Sequence, residues 1–163
     1  MPRRSILSNS ERESLFTLPD ADDELIRHYT FNEADLSLIR LRRGDANRLG
    51  FAIQLCLLRF PGQGLLPNTR ISVLLLQWVG KQLRIDPVCW PQYSERETTR
   101  REHLLELRAY LGMESFGRVH YRQMVNTATE FALQTDKGFV LVNNVLDTLR
   151  HRQTIIPAID VIE

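Results

Sequence analysis

With 163 residues and 43% hydrophobic content, the chain suffices for one medium domain or two small ones, each with a modest core. A charged fraction of 25% is ordinary for a folded chain, and a formal net charge of +1 excludes a global polycation. Cys56 and Cys89 are far apart in apolar surroundings, which fits reduced cytosolic thiols better than a disulfide frame, and no histidine stands at a metal-ligand spacing to either.

The N-terminus, Met1-Pro2-Arg3-Arg4 followed by polar Ser8 to Glu11, has no secretory pattern, and apolar runs such as Val73 to Leu76 are too short to span a bilayer. Ser8-Asn9-Ser10-Glu11 reads as a capping box and predicts a helix from about Asn9 to Thr17, stopped before Pro19. Asp20 is placed to cap a second helix through His28, with Leu25 and Ile26 inward. Asn32-Glu33-Ala34-Asp35 opens a third, with Leu36, Ile39 and the stem of Arg43 on one face, ended by Gly44. Asp45 then caps a longer helix with Leu49, Ile53 and Cys56 at helical spacing.

Pro61-Gly62-Gln63-Gly64 breaks the chain, and Pro67-Asn68-Thr69 opens a buried helix ending near Ile85. Its apolar positions are Ile71, Leu74, Leu75, Trp78, Val79 and Leu83. Asp86-Pro87 and Pro91, with Trp90 and Tyr93, mark a boundary between modules at residues 1–87 and 88–163. Ser94-Glu95-Arg96-Glu97 is a second capping box, opening a charged helix to Leu111 with Leu104, Leu107 and Leu111 as its stripe. After a turn from Gly112 to Gly117, a helix is predicted over 118–134, with Tyr121, Met124, Val125, Ala128 and Ala132 inward. Asp136-Lys137-Gly138 is a turn, and Phe139 to Arg150 is helical or, through Val140-Leu141-Val142, a strand. A last segment runs from Ile155 to Glu163. The fold expected is all-α, two small tandem helical modules with helix-turn-helix-like elements. Ser10-Glu11-Arg12-Glu13-Ser14 returns as Ser94-Glu95-Arg96-Glu97-Thr98; duplication and independent capping chemistry both account for this.

Lys81 and Lys137 are the only lysines among 21 basic residues, so 19 are arginine, the side chain whose planar fork suits phosphate and guanine. A GC-rich genome gives the same bias. Arg40, Arg42, Arg43, Arg48 and Arg59 crowd one stretch against Asp45 alone. In a helix-turn-helix, the start of the second helix meets base edges while the first crosses the backbone. Asn47 and Arg48 are then placed to read adenine and guanine, and Arg40, Arg42 and Arg43 to hold phosphates. An ordinary αα-hairpin with a solvated arginine face is the competing reading. A second cluster is Arg96, Arg100 and Arg101, equally explained by intrahelical pairs with Glu97 and its neighbours. A third is Arg118, His120, Arg122 and Gln123, opening a helix after a glycine turn. Arg3 and Arg4 suit a minor-groove arm or a frayed terminus. Nothing assigns a catalytic residue, a metal ligand or a phosphate-binding glycine loop: Asp22-Asp23-Glu24 complements a helix dipole, and the histidines have no triad spacing.

The stretch Asn47-Arg48-Leu49-Gly50-Phe51-Ala52 with Leu58-Arg59-Phe60-Pro61-Gly62 resembles the N-terminal region of bacterial transposases of the Tn-three family. The likeness extends through Asp23 to Phe31, Thr99-Arg100-Arg101-Glu102-His103-Leu104, His120-Tyr121-Arg122 and Ala132 to Gly138. It implies recognition of double-stranded DNA at terminal inverted repeats, in the bacterial cytoplasm at the nucleoid, by one part of an enzyme of DNA transposition. It also implies that the acidic, metal-binding catalytic triad lies elsewhere, so this segment is expected to be non-catalytic and to need no cofactor. The alternative is a protein–protein module for transposase self-association or regulation.

Overall fold

The computed structural model describes residues 5–66 and 69–163, and there the chain is all-α. Arg3, Arg4, Pro67 and Asn68, and with them the expected arm and the expected helix opening at Pro67, lie outside the described residues. Two compact units form, Leu18–Leu111 and the pair of segments Met1–Thr17 and Gly112–Glu163.

In the Leu18–Leu111 unit, α2 (Asp22–Tyr29) and α3 (Glu33–Arg40) lead into α4 (Asp45–Arg59). α5 (Val73–Leu83), a 3₁₀ turn (Pro87–Cys89), α6 (Trp90–Ser94) and α7 (Glu97–Leu111) follow. α3 opens where the sequence predicts, and Asn32 caps it reciprocally with Asp35. α2 instead starts from Ala21 with no side-chain cap, and Ile26 is exposed while Leu25 is buried. α5 starts at Ser72, whose hydroxyl accepts from the Leu75 N–H, several residues later than expected.

α4 is the axis of this unit. Every residue from Leu49 to Leu58 is buried, so the helix is enclosed on all sides by α2, α3, α5, α6 and α7. Tyr93 lies so close that a Cβ on Gly50 would sit 2.1 Å from its ring. Gln54 donates to the Tyr93 hydroxyl at 2.7 Å and to the Arg100 carbonyl at 3.0 Å, and the Tyr93 hydroxyl meets His103 Nδ1 at 2.9 Å. Residues 86–94 therefore form a packed corner of this unit rather than a linker between modules. Pro87 and Pro91 start helical turns there, a use of proline that sequence punctuation alone does not separate from a break. Ser94 ends α6 and does not cap α7, so the repeated Ser-Glu-Arg-Glu motif has two different structural settings.

The other unit contains α1 (Asn9–Leu15), α8 (Arg118–Ala132), α9 (Gly138–His151) and the short α10 (Ile159–Ile162). Ser8 and Glu11 form the predicted capping box of α1. α8 and α9 pack as a hairpin around Met124, Val142, Val145, Leu146 and Leu149, joined by Leu7 and Ile156. An isolated parallel bridge links Glu114 to Thr154. Arg12 pairs with Asp160 and Glu163, and Glu163 also accepts from the Leu7 N–H, which fastens the C-terminal turn to α1.

Candidate nucleic-acid interface

The turn between α3 and α4 is made by Gly44, whose φ of +80° is open to glycine and strained for other residues. Gly44 is itself the N-cap of α4 and Asp45 the first helical residue, so Asp45 acts through the helix dipole and not as the expected cap. The arginines of this turn are mostly engaged within the fold. Arg48 donates to the carbonyls of Arg42 at 3.0 Å and Arg40 at 3.4 Å, satisfying the end of α3. Arg42 lies over the Phe51 ring at 4.8 Å and donates to both oxygens of Glu106. Arg59 forms a fork with Asp35, two bonds of 2.7 Å, while the Tyr110 hydroxyl donates to the same carboxylate. Burial alone would raise the Asp35 carboxyl, but hydrogen bonds from Arg59, Tyr110 and the Asn32 capping box hold it below its ordinary value.

Because α4 is buried beyond its first turn, it is not available to lie along a groove as the second helix of a helix-turn-helix would. Apart from Arg59 at its C-terminal end, only Asp45, Asn47 and Arg48 of α4 reach the surface. There Arg96 donates to the Asn47 side chain at 2.8 Å, and Arg43, Asn47, Gln92 and Arg96 line an open cleft of about 710 Å³ with Asp45. Arg40 and Arg43 are exposed.

Arg96, Arg100 and Arg101 do not act as one cluster. Arg96 turns to Asn47, Arg101 pairs with Glu97 one helical turn away, and the Arg100 Nε is buried. The outward residues of α7 include Glu97, Glu102 and Glu106, so this face carries carboxylates between its arginines.

α8 differs. His120 is consumed locally: its Nδ1 accepts from the Gly117 N–H at 3.0 Å and its Nε2 meets Glu114 at 2.8 Å. Gln123 is half-buried on the core side with Met124, Thr127, Ala128 and Phe131. Arg118 and Arg122 are exposed on the opposite side. Tyr121, Val125 and Ala132, expected inward, are exposed as well. At about 100° per residue, Arg118, Arg122, Val125, Asn126, Thr129 and Leu133 fall within an arc of roughly 100°. The first turn holds no carboxylate, and Glu130 stands at the edge of the exposed arc.

A family model described as "Domain of unknown function (DUF4158)" matches residues 6–163. The chain belongs to that family. It is 58% identical over its whole length to the transposase for transposon Tn3926 of Escherichia coli, and 53% identical to that for Tn501 of Pseudomonas aeruginosa. The transposase for Tn1546 of Enterococcus faecium is 32% identical over 98% of the chain. The chain spans 16% of the length of each of these relatives. The resemblance to Tn-three transposases read from the sequence is thus matched across the full chain.

In this DUF4158 chain, Tyr121, Val125, Asn126 and Thr129 are the exposed groups that the sequence reading missed. For three of them the signal is present: once Met124, Ala128 and Phe131 are taken as the core line of α8, the helical period turns Val125, Asn126 and Thr129 away from it, whereas Tyr121 falls beside Ala128 at the border of the core and its exposure does not follow from the period. Among the described residues, no group of three His, Cys, Asp or Glu side chains could hold a metal ion. No helix of the described residues is long and apolar enough to cross a membrane.

Proposed function

We propose that this chain binds double-stranded DNA at transposon terminal inverted repeats, as one part of a transposase, and that DNA cleavage and strand transfer are carried by regions outside it. The observation that supports this best is the exposed face of α8, which presents Arg118 and Arg122 without an intervening carboxylate. The relatives' printed role as transposases supplies the kind of DNA. In the Leu18–Leu111 unit, Arg40, Arg43 and Arg96 remain exposed for phosphate, whereas Arg42, Arg48 and Arg59 hold the fold. Affinity arises from arginine–phosphate contacts and counterion release, so it falls steeply with salt. Binding itself calls for no cofactor.

The second reading, a surface for transposase self-association, is favoured by the exposed apolar side chains Val119, Tyr121, Val125 and Leu133 on α8. Fluorescence anisotropy of the chain with a duplex carrying the Tn3926 terminal inverted repeat, and with a scrambled duplex of equal length, at two salt concentrations, separates the two. Tighter binding to the end duplex that weakens with salt supports DNA recognition. Failure to bind either duplex refutes it, and dimerisation in sedimentation then supports the second reading.

A further inference from the structure

We infer that α8 is the helix that enters the major groove, with Arg122 and Asn126 reading base edges, Val125 against thymine methyl groups and Arg118 on a phosphate. The inference rests on the DNA-binding reading above and adds the element and the side chains that give it sequence preference.

The argument begins with composition along one line of the helix. A solvated helix face ordinarily carries Glu and Lys in alternation. The outward arc of α8 instead carries arginine, an amide, a hydroxyl and aliphatic groups. Val119 is 63% exposed, Tyr121 48% and Val125 43%. These leave apolar surface in water that a partner would cover. The same groups match the chemistry of base edges: Arg forks onto guanine O6 and N7, Asn onto adenine N6 and N7, and aliphatic groups onto the thymine methyl.

Position agrees with chemistry. Arg118, the first helical residue, and Arg122 stand one turn apart, and Asn126 follows by another turn. Base readout in such docking comes from the N-terminal turns of the inserted helix. The 15-residue helix is anchored on its other side by Met124 and its packing against α9, so the exposed arc is held on a rigid support. The carboxylate nearest the start of the helix, Glu114, is paired with His120. Helix α7 is the internal contrast: of the same length, it interleaves its arginines with Glu97, Glu102 and Glu106, which would repel phosphate. α4 is the other contrast, since its burial removes it from any groove.

The test uses the end and scrambled duplexes with Arg122→Ala, Asn126→Ala and Arg118→Ala. All three side chains are exposed, and unchanged helical signal and melting temperature confirm the fold. Arg122→Ala and Asn126→Ala are expected to weaken end-duplex binding about 10-fold or more, the loss of one bidentate base contact. Their binding to the scrambled duplex should change by less than about 3-fold, and Arg118→Ala should weaken both duplexes alike. Wild-type protein that prefers the end duplex while Arg122→Ala and Asn126→Ala leave that preference intact overturns the inference and leaves the DNA reading standing. Equal losses on both duplexes for these two variants also overturn it. Wild-type protein that binds neither duplex refutes the DNA reading, and the inference with it. Variants that keep DNA affinity but lose a wild-type dimer assign the face to a second copy of the chain.

Discussion

Arg59 separates a structural arginine from a DNA-facing one, and Arg59→Met tests which it is. Asp35 is fully buried, and its carboxylate accepts two bonds from Arg59, one from Tyr110 and one from the Asn32 backbone. Removing one partner of a buried pair costs about 3–5 kcal/mol, because the other charge stays buried. The Arg59 side chain is 29% exposed, and Tyr110 and Asn32 remain as donors, which reduces the expected loss to about 2–4 kcal/mol. For a unit of this size that corresponds to a fall in melting temperature of about 10–20 °C. The pH dependence has a definite sign. In the wild type the Asp35 carboxyl lies below its ordinary value, so it contributes stability above the unfolded carboxyl range, lost as pH falls through the folded value. Without Arg59, burial is opposed only by the Tyr110 and Asn32 hydrogen bonds, and the folded carboxyl rises relative to the wild type. The variant's deficit is then largest at pH 7 and smaller near pH 4. Thermal melts followed by circular dichroism at both pH values measure it. A melting temperature within about 3 °C of wild type at pH 7, with lost DNA binding, would refute the structural assignment of Arg59.

His103 predicts a second pH effect. Burial first, then the charge of Arg42, pushes its imidazole down to about 4, while Glu106 acts in the opposite direction. The unfolded chain takes up a proton near pH 6.5 that the folded chain refuses, so stability present above about 6.5 falls by up to about 3 kcal/mol as pH drops to 4. Urea unfolding at pH 7 and pH 4.5 should show this loss in the wild type and a smaller one in His103→Phe; equal pH slopes would refute it. Gly50→Ala should destabilise the chain by about 1–3 kcal/mol through overpacking against Tyr93, despite alanine's better helix propensity. A raised melting temperature would show that the ring has room to move.

The helices were legible because capping and periodicity are local. Ser8 and Glu11 cap as their spacing predicts, α3 opens at Asn32 as expected, and α9 spans nearly the range expected. Ser94 misled because a capping box is also simply four common residues, and the backbone there was already ending α6. Pro87 and Pro91 misled because proline both breaks a helix and begins one. On α8 the expected inward set mixed two faces. Tyr121 and Val125 are apolar, and a reading that places apolar residues inward assigns them to the core.

Side-chain pairing over long sequence separations explains the difference between arginines that look alike in the sequence. Arg42 finds Glu106, Arg59 finds Asp35, and Arg48 finds carbonyls across the turn, and none of these partners follows from local spacing. Each of them joins two elements of the Leu18–Leu111 unit, so the motif with the densest basic charge serves mainly to hold α3, α4 and α7 together. The arginines of α8 meet the opposite condition, since their neighbours one turn away on the exposed arc are neutral, with Glu130 only at its edge, and the buried core beneath them is aliphatic. Charge density in a sequence therefore measures how much pairing a segment requires. Under the DNA-binding proposal, the arginines available to a phosphate are those left over after the fold has met that requirement: Arg40 and Arg43 at the turn, and Arg118 and Arg122 on α8, where among the described residues no partner across the fold competes for them.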